Sequence, residues 1–370
     1  MKALVIKSNL KEGISVIERA SGENQNLPIL RNVLIEALDG RLALSATNLE
    51  VAVRYFVQGK ILEEGTITAP IQVLSNLVGN LPTERLNLET KDMNLIIKTD
   101  NYDGTLVGAA ADDFPIIPKI ENDSQYIEIA GDVLRDALSQ VVVATQTLDL
   151  RPELGSVLFD FSLDALKLIA TDSFRLAEKT LAKSQFTVSK QVEAFKILVP
   201  LRTAQEILRI TKPDETVRIF HDKTQVLFRT EHFEFVSRLF ELNFPDYSGV
   251  LPGEFLTEMV VNRQELINAV KLAGVLGGRN SEVRLNASKE KKTLQVFSGE
   301  QAVGENSYIL SAKIKGHDDV LSFNWRYLVD GLRALKADEV FLGIYQENRK
   351  VFIKDASDSS YFYILVSLAL

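Results

Sequence analysis

The chain repeats itself. One order of local patterns runs three times along its 370 residues, and a repeated unit fixes the fold more firmly than any single motif. Each copy opens with apolar residues at i, i+4 and i+7, one face of an amphipathic helix. These are Leu10, Ile14 and Ile17, then Leu134, Leu138 and Val141, then Leu266, Val270 and Ala273, a step of about a third of the chain each time. A strand, a turn and a second strand follow, over 32–37 and 41–48, then 156–161 and 166–172, then 282–287 and 293–298. Asp39-Gly40 between the first two runs is a strong hairpin signal, and Val33, Val157 and Val283 hold matching places. A second helix opens at Pro70, Pro200 and Asn324, again at nearly the same step; proline in the first helical turn and asparagine as a cap are the expected openers. Further strands close each copy, as at 217–220, 225–228 and 233–236. Asp113-Phe114-Pro115 and Asn243-Phe244-Pro245 mark two junctions in matching places. The spacing predicts an α+β chain of three tandem domains over 1–121, 122–254 and 255–370. Each sets two helices against antiparallel strands.

Composition narrows the function. Hydrophobic residues make up 46 % and charged residues 25 %, the balance of a globular protein. No apolar stretch approaches the ~20 residues that cross a bilayer, and the first residues lack a signal-peptide core, so a cytoplasmic protein is expected. Cysteine is absent, which removes disulfides, thiolate metal sites and a cysteine nucleophile together. His221, His232 and His317 do not share metal-ligand spacing, so neither metal nor cofactor is expected. An enzyme would leave a chemical trace, and neither a phosphate loop nor a nucleophile elbow is present. The glycines Gly274, Gly277 and Gly278 follow a helix rather than opening one, and read as its stop. The acidic pairs Glu63-Glu64 and Asp112-Asp113 read as solvated turns.

A family resemblance rests on short motifs in a fixed order. They are Leu27 to Asn32 and Ala46 to Glu50 in the first copy, and Ala170 to Leu176 in the second. Phe244 to Tyr247 and Val250 to Pro252 follow at the second junction. In this order the chain resembles, over its whole length, the β subunit of bacterial DNA polymerase III, the sliding clamp. The resemblance implies a non-catalytic processivity factor, a head-to-tail homodimer whose six domains form a ring with helices lining the hole. Its partners would be double-stranded DNA bound without sequence preference, the replicative polymerase, a clamp loader and other proteins carrying a short clamp-binding motif. Val275 and Leu276 would be apolar contacts of the dimer interface.

The net charge of −8 opposes DNA binding only if it is evenly spread, because a partner feels the face it meets. The six predicted helices sum to +5, leaving −13 elsewhere. The surplus lies in the second and third copies, and the first adds no net charge. Arg202, Arg209, Lys212, Arg263, Lys271, Arg279, Arg326, Arg333 and Lys336 are the expected DNA-facing residues. Arg151 joins them from a loop where the family carries aromatic residues and this chain has Pro152 and Glu153; Asn24 stands where a basic residue is usual. Contacts of this kind are weak and non-specific and permit sliding.

The resemblance also implies a groove between the second and third domains that takes a short linear peptide by its apolar anchors. Carried over by position, its wall is Leu154, Thr171, Ser173, Phe174, Arg175, Leu176, Pro245, Val250, Ile364, Leu365, Val366, Ser367 and Leu368. Apolar side chains supply burial and a few polar groups fix direction. Arg175 is expected on a short loop. Phe174, Ser248-Gly249 and the ending Val366 to Leu370 depart from the family pattern, which points to altered specificity. Two rival readings remain open at this stage: an interaction scaffold of the same fold that no longer encircles DNA, and an enzyme built on a repeated α+β unit.

Overall fold

The computed structural model describes every residue except 23–25, 39, 121–122, 148–149, 190–191, 252, 279–280, 301–303, 346–349 and 369–370. Six α-helices occur among the described residues, two in each copy: α1 (Lys7–Ile17), α2 (Ile71–Asn80), α3 (Gly131–Val141), α4 (Leu201–Ile210), α5 (Arg263–Gly274) and α6 (Trp325–Ala334). Asn324 caps α6 as expected, its side chain accepting from Arg326 N–H, and Asn262 caps α5 through Glu265 N–H. The prolines sit one place earlier than predicted. Pro70 and Pro200 are the last residues of the strands Gly65–Pro70 and Phe195–Pro200. A strand end needs no further N–H donor, so proline is tolerated there as well as in a first turn.

The chain divides into two compact units that cut through the second copy. The first comprises Met1–Asp132, Thr187–Val192 and Arg209–Leu239. One of its sheets runs Gly59–Glu63, Lys2–Ile6, Arg85–Lys91, Asn94–Lys98, Asp103–Val107. Another passes through Ile127–Ala130, Thr216–His221, Gln225–Arg229, Phe233–Arg238, Val51–Val57, Arg41–Thr47, Asn32–Leu38 and Gly65–Pro70. Copies one and two are therefore stitched inside a single sheet, with Phe233 opposite Tyr55 and Ser237 opposite Val51. α1 buries Leu10, Gly13, Ile14 and Ile17, each large side chain contributing about 1.5–3 kcal/mol. A Cβ on Gly13 would come within 2.9 Å of Tyr55 Cδ1, so only glycine lets this helix lie so close to the sheet.

The second unit comprises Val133–Phe186, Glu193–Leu208 and Phe240–Leu370. Its twelve-stranded sheet repeats the stitch: Arg175–Ala182 of the second copy pairs with Tyr361–Val366 of the third, Arg175 opposite Leu365 and Lys179 opposite Tyr361. Here α6 takes the close approach, because a Cβ on Gly331 would lie 2.5 Å from Tyr363 Cδ1.

The hairpins before the two stitches share one hydrogen-bond plan. Asn48 Oδ1 accepts from the N–H groups of Glu50 and Val51, and Asp172 Oδ1 from those of Phe174 and Arg175. Thr47 donates its Oγ1–H to the Val51 carbonyl and Thr171 to that of Arg175. Leu49 and Ser173 both adopt φ near +76°. The recurrent Ala-Thr-Asn and Ala-Thr-Asp motifs are therefore turn chemistry, side chains replacing backbone acceptors.

Candidate nucleic-acid interface and partner groove

Of the expected DNA-facing residues, Arg202, Arg209, Arg263, Lys271, Arg326 and Arg333 stand on helices, while Lys212 and Lys336 follow the ends of α4 and α6. Arg202 and Arg209 on α4 are exposed and stand at i and i+7, so they share one helix face, opposite the buried Ala204 and Ile207. Arg326 and Arg333 on α6 repeat this, opposite the buried Leu328 and Leu332. Exposed arginines in this arrangement form a stripe able to follow a phosphate backbone. Lys271 is half-buried on α5. Arg279 lies outside the described residues.

Three others are tied to the protein. Arg263 donates from Nε to the Ala337 carbonyl at 2.7 Å. Lys212 Nζ lies 2.5 Å from Glu12 Oε1 on α1, and Lys336 Nζ lies 2.6 Å from Asp136 Oδ1 on α3. The step along the chain from Glu12 to Asp136 equals that from Lys212 to Lys336, so one ion pair recurs at the two stitches. The hydrogen bond from Lys212 lowers the Glu12 pKa, and the Lys212 pKa rises in return. Arg151 is exposed and pairs with Glu153 at 2.9 Å, with Ser173 Oγ 3.5 Å away.

The thirteen expected groove residues separate by strand alternation, which sends neighbours to opposite sheet faces. Thr171, Leu176, Ile364 and Phe352 stand opposite one another in successive strands. Leu176 and Ile364 join one apolar cluster with Leu158, Ile169, Leu198, Tyr345 and Phe352, against which Val250 and Tyr247 pack. Leu154 and Thr171 are buried, and Pro245, Val250, Val366, Ser367 and Leu368 are half-buried. Tyr345 Oη donates to the Val250 carbonyl at 3.2 Å and Val366 N–H to the Phe174 carbonyl at 2.9 Å. Phe174 is 59 % exposed.

Arg175 and Leu365 belong to the other face. Arg175 is not on a loop: it begins the strand Arg175–Ala182 and is buried. Its guanidinium bonds Asp172 at 2.9 Å and Asp330 at 2.8 Å and lies over the Tyr327 ring at 4.0 Å. It couples the second copy to α6 of the third. The sheet register, which no local pattern reveals, turns it away from Leu176.

Among the strand edges left open in the described residues, two hold corresponding places in the repeat. Asp103–Val107, the last strand of the first copy, pairs only with Asn94–Lys98. In the third copy, 304–311 of the strand Gly304–Gly316 pair only with Thr293–Glu300. Within the chain, the third strand after the first helix of one copy pairs with the last strand of the next copy. Asp103–Val107 is the last strand of its copy, and 304–311 lie in the third strand after α5, so the two edges hold the places that such a pairing would use. Beside the second edge, Asn306 Nδ2 donates to the Leu272 carbonyl at 2.9 Å. Val275, just past α5, is 77 % exposed, and Leu276 is half-buried.

Among the described residues no group of three or more His, Asp or Glu could hold a metal ion. Comparison with known proteins matches three family models in order. They are the N-terminal domain of the DNA polymerase III beta subunit over residues 1–118, its central domain over 128–246 and its C-terminal domain over 248–368. The beta sliding clamp of Bacillus subtilis is 27 % identical over 99 % of both chains, and that of Synechococcus elongatus 26 % over the whole of both. A crystal structure of the Bacillus subtilis DNA polymerase sliding clamp superposes with a TM-score of 0.93 at 26 % identity, covering 100 % of this chain and 99 % of that one. A Pseudomonas aeruginosa sliding clamp bound to griselimycin gives 0.92 at 25 % identity, covering all of both chains.

Proposed function

Because the chain belongs to the DNA polymerase III beta subunit family, we propose that it works as a DNA sliding clamp, a non-catalytic ring that holds a replicative polymerase on duplex DNA. Two copies would close head to tail, the first domain of one against the third of the other. A closed cyclic arrangement leaves no sticky edge, as protein rings require. The observation that carries this reading is that two open strand edges, Asp103–Val107 and 304–311, hold the places in the repeat whose counterparts pair twice within the chain. Val275 and Leu276 would be covered at this joint. The domains would span 1–121, 122–254 and 255–370.

The arginine stripes of α4 and α6, with Lys271 and Arg279, would meet the phosphates. Lys212, Lys336 and Arg263 are held by Glu12, Asp136 and the Ala337 carbonyl, and would reach the phosphates only by leaving them. Peptides from the polymerase, a clamp loader and other partners would bind over Leu176, Ile364 and Val250, with Phe174 and Pro245 at the margin. Arg175 and Leu365 would act from behind the sheet. The ring would work in the cytoplasm; no described helix is long and apolar enough to cross a membrane.

Loading on closed circular DNA tests the reading. A clamp assembled by a loader should stay bound to the circle at high salt and slide off once the circle is cut. Retention that is lost with salt alone, or that survives linearisation, would refute topological binding. Native mass measurement should find a dimer, and a monomer at micromolar concentration would refute ring closure.

A further inference from the structure

We propose that the first unit carries a second peptide-docking groove, where copies one and two are stitched. The proposal rests on the reading of the groove around Leu176 and Ile364. A cavity of about 580 Å³ lies against the seam between Val51–Val57 and Phe233–Arg238. Its apolar walls are Leu34, Phe114, Ile117, Ile120, Leu227 and Val236. These are the counterparts, one copy earlier, of residues around the groove already described. Phe114 and Pro115 hold the places of Phe244 and Pro245, and at the same step Ile117 and Ile120 hold those of Tyr247 and Val250. Val236 stands opposite Ala52 and Leu227 opposite Val236, as Ile364 stands opposite Leu176 and Phe352 opposite Ile364. Ile120, Leu227 and Val236 share an apolar cluster with Phe220.

The occupant follows from what differs. Glu234 and Arg54 replace Phe362 and Glu178, so the seam carries two internally neutral pairs, Arg54–Glu36 at 3.0 Å and Arg229–Glu234 at 2.9 Å, and the other charged lining residues, Lys119 and Asp123, cancel in sign. A charged side chain entering here meets no net charge to recompense its dehydration. The Arg54 side chain is 31 % exposed on this wall, and the exposed part of its guanidinium can donate to a peptide carbonyl. Ile116 is 94 % exposed at the opening, an apolar surface awaiting cover. These features fit an extended partner segment with two uncharged apolar anchors and a backbone carbonyl directed at Arg54. The filled groove would give each protomer two docking places of different selectivity.

The test uses the full-length protein and fluorescein-labelled, acetylated heptapeptides carrying two leucines at varied spacing in a serine background. Binding is read as stoichiometry per protomer at saturation. Wild type should take two peptides. Phe174→Asp with Val250→Asp should leave one site, as should Ile116→Asp with Ile117→Asp, each weakening its own site by about tenfold or more. The single change Ile116→Asp, on an exposed side chain, keeps the measurement interpretable if the double variant unfolds. A single site abolished only by the Ile116 and Ile117 changes would uphold this groove and refute the other. A single site abolished only by the Phe174 and Val250 changes, or no binding to any peptide, would overturn the proposal.

Discussion

The Lys212 ammonium lies 2.5 Å from a Glu12 carboxylate oxygen, joining the end of the second copy's second helix to the first copy's first helix. Lys336 and Asp136 repeat the contact at 2.6 Å one copy later. Both pairs are partly exposed, so solvent screening limits each to about 0.2–1 kcal/mol. A double-mutant cycle of Lys212→Ala and Glu12→Gln in urea should give coupling in that range, shrinking as salt is raised. The lowered Glu12 pKa fixes the sign with pH. Its contribution is present above the ordinary carboxylate pKa and is lost as pH falls through the folded value. A coupling that grows on acidification would contradict this.

Glu215 shows the opposite sign. Burial raises its pKa, and its Oε2 has no hydrogen-bond partner among the described residues. A carboxylate held above its ordinary pKa costs stability when ionised and recovers it as pH falls through the folded value. Glu215→Gln should therefore raise the melting temperature of the first unit by roughly 1–2 °C at pH 7. At pH 4 the difference should vanish; calorimetry at both values checks it.

Arg175 separates stability from peptide binding. The Asp172 side chain has no exposed surface, so Arg175→Ala strands a buried carboxylate and should cost about 3–5 kcal/mol. Combining Arg175→Met with Asp172→Asn should recover part of the loss in urea unfolding. Phe174→Ala, on an exposed side chain, should instead leave stability within about 0.5 kcal/mol while weakening peptide binding.

For DNA, the seam lysines and the helix-face arginines should differ. On short linear duplexes, Arg326→Ala with Arg333→Ala should flatten the dependence of log affinity on log salt by up to about 0.9 for each phosphate no longer neutralised. Lys212→Ala with Lys336→Ala should flatten it less. Equal effects from the two pairs of changes would mean that the lysines leave their carboxylates to reach DNA.

The open edge at 304–311 makes a prediction about assembly. Val275→Asp places a charge on a side chain that is exposed in the single chain and would be covered in the proposed joint. Native mass spectra should shift from dimer to monomer while the melting of the chain is unchanged.

The tandem repeat was legible because its signals are local. Leu10, Ile14 and Ile17 encode a helix face by spacing, and Thr47-Asn48 encodes a turn through its own side chains. The site residues were less legible. Whether Arg175 or Leu176 meets a peptide depends on sheet register, which is set by a strand far along the chain, at Leu365 and Ile364. The seam pairs were written in the sequence as one shared step, from Glu12 to Asp136 and from Lys212 to Lys336. Nothing local says that the first helix of one copy faces the second helix of the next, so the two steps could not be joined.

The same register has a consequence for the joint between protomers. Counting from the aligned helices, the places of Glu12 and Asp136 in the third copy, and of Lys212 and Lys336 in the first, fall to Asn268 and Pro82. Neither carries a charge. In a circle of two such chains, the four joints inside the chains would be latched by an ion pair and the two between them would not. Such a circle would part most readily at the two joints that lack this latch.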